Sequence, residues 1–336
     1  MRAAIIHAPL NMQFGMWPMP QPALNEVLVA VGATGVCAGD MYFYLGKNPY
    51  ARYPQVCGHE IAGTIIEVGA GVTGLSVGMR VAVEPFISCG HCYPCRVGKG
   101  NCCANLQIIG IHHPGGFAEF VTAPATHAHC IPDALSLVKA SFAEPVAIAV
   151  HACRRGNVGA ETVLIMGCGP IGLALIEVAR ARGARVIAAD HHASRLETAS
   201  QLGAEVLLSD DHLLEAVYAK TNGEGAPVVI EATGSISAME LSIELVAAGG
   251  RIVIVSLANK GAQVSLPALD FTRKEMTILG SRASTDCFPE ALDLLASGAL
   301  RYPQSATEFS LWDAPELFQR LAEDKSIVQK AVLINE

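Results

Sequence analysis

The stretch Thr162-Val-Leu-Ile-Met-Gly-Cys-Gly-Pro-Ile-Gly172 decides the fold. Its first five residues form a short apolar run of the kind found in strands buried on both faces. Gly167, Gly169 and Gly172 then make a G-x-G-x-x-G turn, and from Pro170 an amphipathic helical pattern runs to Arg182. A second apolar run, Arg185-Val-Ile-Ala-Ala-Asp190, follows and ends on an acid. Strand, glycine turn, helix and strand in that order predict a doubly wound parallel α/β sheet. The alternation continues outward through a helix near Arg195–Leu202 and strands at Val206–Leu208, Val228–Glu231, Arg251–Ser256 and near Met276–Leu279, about six strands in all.

The chemistry of this unit follows from its turn. Small residues let the backbone approach a pyrophosphate, and the helix N-terminus meets that negative charge with a positive dipole. Asp190 can accept from both hydroxyls of an adenosine ribose and repels a 2′-phosphate, so the expected cofactor is NAD, held by Gly167, Gly169, Pro170, Ile171, Gly172 and Asp190. Arg195 is the complication, because a guanidinium beside the ribose accommodates a 2′-phosphate; packing beside the adenine or a plain surface charge are its other roles. His191 and His192 are expected beside the ribose rather than on a metal.

Upstream, to about residue 145, short apolar runs such as Glu26-Val-Leu-Val-Ala-Val31 and Ile61-Ala-Gly-Thr-Ile-Ile-Glu-Val68 alternate with Gly/Pro turns and read as mostly β. Downstream of Ser281, a helix at Pro289–Ser297 and a strand near Ala331–Ile334 fit no further repeat of the doubly wound unit. The expected domains are therefore 146–287 for the nucleotide and 1–145 with 288–336 for the rest. A chain of 336 residues is long enough for two cores. The net charge of −8 without a basic cluster argues against nucleic acid, and no apolar stretch reaches the ~20 residues of a membrane span. The first residues lack the pattern of a signal peptide, so a cytoplasmic location is expected.

Eleven cysteines suit a reducing compartment only if some have a use. Cys89-x2-Cys92-x2-Cys95-x7-Cys103 supplies one: four thiolates in a single loop match the tetrahedral sulfur shell of a closed, structural zinc site. Cys102 is an alternative fourth ligand, and the spacing favours Cys103. Cys57, Cys102, Cys130, Cys153, Cys168 and Cys287 read most simply as small buried hydrophobes. A second set is dispersed: Cys37 in Gly-Val-Cys-Ala-Gly-Asp40, His59 and Glu60 in Gly-His-Glu, and Glu144 in Phe-Ala-Glu-Pro-Val-Ala-Ile148. A thiolate, an imidazole and carboxylates make an open, catalytic zinc shell.

The pattern G-H-E-x2-G-x5-G-x2-V from Gly58 to Val72, the four-cysteine lobe and the later glycine motif occur in this order in zinc-dependent medium-chain dehydrogenases, which this chain resembles over essentially its whole length. The resemblance implies a GroES-like, mostly β catalytic domain beside the Rossmann domain. It also implies two zinc ions per chain, with Cys37 and His59 on the catalytic zinc and Glu60 and Glu144 as alternating ligands or partners of bound water. Homo-oligomers, dimeric or tetrameric, are usual among such relatives. Glu144, where the ethanol branch typically carries cysteine, resembles the polyol, threonine and sugar-acid branch. The implied reaction is oxidation of a secondary hydroxyl of a small-molecule polyol or sugar acid, in the manner of L-galactonate or L-idonate.

One departure matters. Family members usually read Cys-Gly-(Ser/Thr)-Asp with a histidine two residues on, whereas this chain has Cys37-Ala-Gly39-Asp40-Met-Tyr42. Gly39 carries no hydroxyl for a proton relay, which leaves Glu60, Glu144 or Tyr42 for that task. L-Threonine, a keto-deoxy sugar acid, or a non-catalytic zinc-binding role are the competing readings.

Overall fold

The computed structural model describes residues 1–324 and 327–335. The chain divides into two compact units. One comprises Met1–Glu144, Phe288–Gly298 and the chain from Pro303 onward; the other comprises Pro145–Cys287 and Ala299–Tyr302.

In the second unit a six-stranded sheet runs in the order Glu205–Leu208, Arg185–Asp190, Thr162–Met166, Ala226–Glu231, Val246–Ile254, Thr277–Gly280. Every neighbouring pair is parallel. Its strands are apolar because both faces are covered: Leu164, Met166, Ile187, Val229 and Ile252 pack on one face with Leu213, Val217 and Ile243 of the crossover helices, and Val163, Ile165, Ala188, Val228 and Ile230, which alternate with them, are fully buried. Strand order reverses at Thr162–Met166, so the glycine turn emerges at the switch point, where open sheets of this kind place their ligands. The short return at Ala299–Tyr302 has a specific anchor. Glu177, buried in the helix Pro170–Ala181, accepts from the backbone N–H groups of Arg301 (2.8 Å) and Tyr302 (2.6 Å). Nothing in the composition of those four residues signals this anchorage.

The first unit is built on a seven-stranded sheet. Along its path lie Ala306–Ser310, Lys330–Ile334, Glu26–Gly35, Glu60–Val68, Arg80–Val83 and Ala128–Cys130, and Phe120–Pro124 pairs with Glu26–Gly35. Val27, Val29, Val31, Ile61, Ile65, Val81 and Val83 form one of its cores. The terminal strand Lys330–Ile334 lies antiparallel on Glu26–Gly35, which brings the far end of the chain beside the Gly-His-Glu segment. The strand Ala306–Ser310 escapes a reading by periodicity because its side chains are all at least partly exposed and present no apolar face. Among the described residues no helix is long and apolar enough to cross a membrane.

Candidate active site and metal centres

In the four-cysteine lobe, Cys92 caps the short helix Tyr93–Arg96, whose first turn tolerates Pro94, and a single 3₁₀ turn at Gly100–Cys102 delivers Cys103 back to the start of the loop. The sulfur separations are 3.4 Å for Cys92–Cys95, 3.8 Å for Cys92–Cys103 and 4.0 Å for Cys89–Cys95. A tetrahedron of Zn–S bonds of about 2.3 Å has edges of about 3.8 Å, whereas a disulfide needs about 2.05 Å. The spacing thus fits a four-thiolate metal shell. Backbone N–H groups of Cys89 and Asn105 each donate to the Cys103 sulfur at 3.3 Å. Backbone N–H groups of Ala104 and Cys95 pull the Cys92 thiol down to about 6, and desolvation pushes Cys95 up to about 11. Cys102 is exposed and stands outside the cluster, which contains Cys103.

The dispersed set also converges. Cys37, His59 and Glu60 each place a ligand atom within 4.8 Å of the others, and His59 and Glu60 are buried. Cys37 is the N-cap of the helix Ala38–Tyr44: its sulfur accepts from the Gly39 N–H at 3.5 Å, while Asp40 Oδ2 accepts from the Cys37 N–H at 2.9 Å. The other oxygen of Asp40 accepts from the Gly58 N–H (3.2 Å) and lies 3.4 Å from His59 Nδ1. One buried carboxylate therefore ties the cysteine segment to the histidine segment. Burial opposes charging of the His59 ring, but the anionic partners Asp40 and Cys37 outweigh it and raise its pKa well above the ordinary value. Glu144, at the start of the helix Ala143–Arg155, is buried but lies outside the compact triad. Desolvation raises its carboxyl to about 7, with His59 and Lys330 opposing the rise and Glu60 and Asp40 adding to it.

Gly39 is not imposed by crowding. A Cβ there would lie 3.7 Å from His59 Cε1 and 3.9 Å from Cys37 Sγ, ordinary contact distances, so the position has room for a Cβ. Tyr42 stands on the same helix with about half of its surface exposed (49%), and it is not a member of the metal-capable set.

In the second unit, Gly172 must be glycine: a Cβ would come within 1.9 Å of the Gly167 carbonyl oxygen, which is where the helix closes on the turn. Gly169, by contrast, faces open space, as close approach of a phosphate requires. Asp190 is buried at the end of its strand. It accepts from the Cys168 N–H in the glycine turn (2.8 Å) and from the His192 N–H (2.9 Å), with the His192 ring nitrogen Nδ1 at 2.9 Å and Arg195 at 3.7 Å. Burial alone would raise its carboxyl; these donors outweigh burial and hold it below the ordinary range.

Comparison with known proteins gives the context. Residues 23–133 match the alcohol dehydrogenase GroES-like domain, and residues 170–297 match the zinc-binding dehydrogenase family. The L-galactonate-5-dehydrogenase of Escherichia coli K12 is 36% identical over 305 residues, covering 89% of this chain and 88% of that protein. The chain belongs to the zinc-type medium-chain dehydrogenases. Among solved structures, one described as a short chain alcohol dehydrogenase from E. coli CFT073, complexed with NADH, superimposes with a TM-score of 0.93 at 32% identity, over 100% of this chain and 99% of that one. A zinc-binding dehydrogenase from Sinorhizobium meliloti 1021 bound to NADP gives a TM-score of 0.92 at 32% identity, over 99% of both chains.

Two residues of this zinc-type dehydrogenase's candidate site escaped the reading of its sequence. Asp40 was visible inside the cysteine motif but carried no signal of its own. Lys330, in the terminal strand, is buried, and its ammonium lies 2.5 Å from both carboxylate oxygens of Glu60, 270 residues away. No local pattern predicts such a pairing. One expectation is corrected: of the six cysteines read as buried hydrophobes, Cys102 and Cys130 are exposed, because the first lies on the surface of the metal-capable lobe and the second ends an edge strand of the sheet.

Proposed function

We propose that the chain oxidises a secondary hydroxyl of a sugar acid or polyol with NAD, using a catalytic zinc held by Cys37 and His59 with Glu60 and Glu144 in exchange, and a structural zinc held by Cys89, Cys92, Cys95 and Cys103. The observation that carries the reading is the convergence of thiol, imidazole and carboxylate within 4.8 Å, contributed by segments that are separate in sequence. Three donors of this kind leave a fourth position for a substrate oxygen, as catalytic zinc shells do and the all-cysteine lobe does not. Held by these residues, a zinc ion would supply Lewis acidity, which makes a hydroxyl easier to deprotonate near neutral pH.

The chain's own residues do the rest. Asp40 fixes the relative position of the Cys37 and His59 segments through the bonds described above. Glu60 and Glu144 are the carboxylates at hand for the hydroxyl proton, since Gly39 supplies no relay. Gly167, Gly169, Pro170, Ile171 and Gly172 cradle the pyrophosphate, and Asp190 takes the adenosine ribose, with Arg195 as the group that sets tolerance of a 2′-phosphate. In the net reaction the carbinol carbon loses hydride to C4 of the nicotinamide and its hydroxyl loses a proton to solvent, giving ketone, NADH and H⁺.

The sugar-acid preference is supported by Glu144 and by the identity with L-galactonate-5-dehydrogenase. It is tested by following NADH formation across L-galactonate, L-idonate, other aldonates, polyols and L-threonine, each with NAD and NADP. The expected result is turnover of one aldonate or polyol with NAD. Turnover of L-threonine alone would replace the substrate class, and no turnover of any of them by zinc-loaded protein would contradict the reading.

A further inference from the structure

The loop 109–116 of the first unit owes its shape to glycine. A Cβ on Gly110 would stand 2.5 Å from the Gly58 carbonyl oxygen, and one on Gly115 would stand 2.2 Å from the same atom. Only glycine allows so close an approach. The Gly115 N–H donates to the Val56 carbonyl and the Gly116 N–H to the Gly58 carbonyl, both at 2.9 Å, which closes the base of the loop. The buried side-chain amide of Gln55 fixes the tip, donating to the carbonyls of Ile111 (2.8 Å) and His113 (3.1 Å). Gly58 immediately precedes His59 of the assembled metal cluster, and two residues of chain span at most about 7 Å, so the backbone of His112 stays close to that cluster.

The side chains at this tip are donors without acceptors. His112 Nδ1 accepts the Ile108 N–H at 3.0 Å, so the ring carries its own proton on Nε2. Partial desolvation, and then the nearby His113 and Arg52, hold the ring below the ordinary imidazole value, which keeps it a neutral donor near neutral pH. The Tyr50 ring stands 6.3 Å away. Among the described residues no carboxylate pairs with Arg52, His112 or His113, although the chain as a whole carries a net charge of −8.

We propose that Arg52, with the His112 Nε2–H beside it, forms an anion subsite that receives a terminal carboxylate or phosphate of the substrate whose hydroxyl meets the cluster of Cys37, His59 and Glu60. This rests on the dehydrogenase reading above and names the feature of the substrate that the chain selects. A guanidinium presents paired N–H groups that match two oxygens of a carboxylate or phosphate, and His112 adds a single donor. In an aldonate or a polyol phosphate the charged end lies several bonds from a hydroxyl near the other end, which suits a donor on the rim rather than a ligand of the metal. A contact made that far from the reacting carbon binds ground state and transition state alike, so its loss appears in KM rather than in kcat.

The test uses the full-length, zinc-loaded protein and ligands of matched skeleton: L-galactonate, galactitol 1-phosphate and the uncharged galactitol. Calorimetric titration in the presence of NADH reads affinity without turnover. The wild type is expected to bind one of the two anions at least about tenfold more tightly than galactitol, the size of a hydrogen bond to a charged group, and the tighter of the two names the charged group selected. Arg52→Gln is expected to erase that preference. For an anion that is turned over it should raise KM by about tenfold while kcat stays within about twofold of wild type. Arg52→Lys, which keeps the charge without the fork, should recover part of the preference, and His112→Gln should lose roughly threefold, as for a neutral hydrogen bond. Lys260→Gln makes the same change of net charge in the second unit and should bind as the wild type does. A wild type without preference for either anion, or a preference that Arg52→Gln leaves intact, would overturn the proposal and leave Arg52, His112 and His113 a solvated basic turn. Arg52-dependent binding of an anion that the protein does not oxidise would uphold the subsite and count against the dehydrogenase reading; oxidation of an anion indifferent to Arg52→Gln would do the reverse.

Discussion

The two metal-capable clusters of this chain are built in opposite ways. The lobe takes Cys89, Cys92, Cys95 and Cys103 from one loop, with backbone N–H groups and tight turns around them, and its first and last ligands are 14 positions apart. The other draws on Cys37, His59 and Glu60, with Glu144 nearby, and it is completed by Lys330 from the terminal strand. The first has four like donors, enough for a tetrahedral shell; the second has three mixed donors, one of them a carboxylate paired with a buried lysine. A closed local shell suits stability, and an open assembled one suits exchange with a substrate.

That contrast can be broken by substitution. His59→Ala should abolish turnover, a loss of roughly 10³-fold or more, because several kcal/mol of charge stabilisation depend on the metal it holds. Zinc content should fall from two per chain to one with little change in Tm, as read by metal analysis and calorimetry. Cys103→Ser should do the reverse. It opens the lobe, lowers Tm by roughly 10 °C as expected for loss of a structural metal, and reduces activity only through the fraction unfolded. Equal effects of both variants on Tm would erase the distinction between the two sites.

The nucleotide unit offers an intermediate case, a site assembled across 22 residues. Asp190→Ala removes the acceptor for the Cys168 and His192 N–H groups together with the proposed ribose contact. It should weaken NAD by about tenfold, as for loss of a charge-assisted hydrogen bond, and narrow the preference for NAD over NADP; a titration of cofactor fluorescence reads both. The smallest effect is expected at an exposed counterpart of the Lys330–Glu60 pair. Glu205 bridges Arg185 (2.6 Å) and Lys220 (2.8 Å) on the surface, and those cations hold its carboxyl down to about 2. A depressed carboxyl stabilises the fold above its ordinary value and loses that contribution as pH falls through the ordinary range toward about 2. Glu205→Gln should therefore cost less than about 1 kcal/mol at neutral pH, because solvent screens the pair, and the difference from wild type should shrink as the solution is acidified. Urea melts at several pH values measure it.

What the sequence reveals follows the same division. The strand–glycine–helix stretch from Thr162 and the four-cysteine loop are legible because their geometry is local: periodicity, turn residues and ligand spacing occupy one short window. The six-strand parallel sheet follows from that first unit by repetition. Cys37, the His59-Glu60 pair and Glu144 are recognisable only as a company of residue types, since no fixed spacing links the three segments, and the meeting of Cys37 with His59 and Glu60 depends on a sheet register that no window contains. Lys330 lies beyond that reach, because a lysine at the head of a strand looks like a surface charge until the strand's neighbour is known. Gly35 is similar: its meaning is the carboxylate that lies over it. The strand Ala306–Ser310 has no apolar face to betray it.

The central claim is that the assembled cluster, not the lobe, carries the chemistry. The most direct measurement withdraws zinc stepwise with a chelator and plots residual NAD-dependent activity against zinc per chain, with circular dichroism recorded alongside. The account predicts that activity falls to zero as the first zinc leaves, while the fold persists until the second is removed. Activity that survives in protein retaining only the lobe metal, or that declines only as the fold is lost, would contradict it.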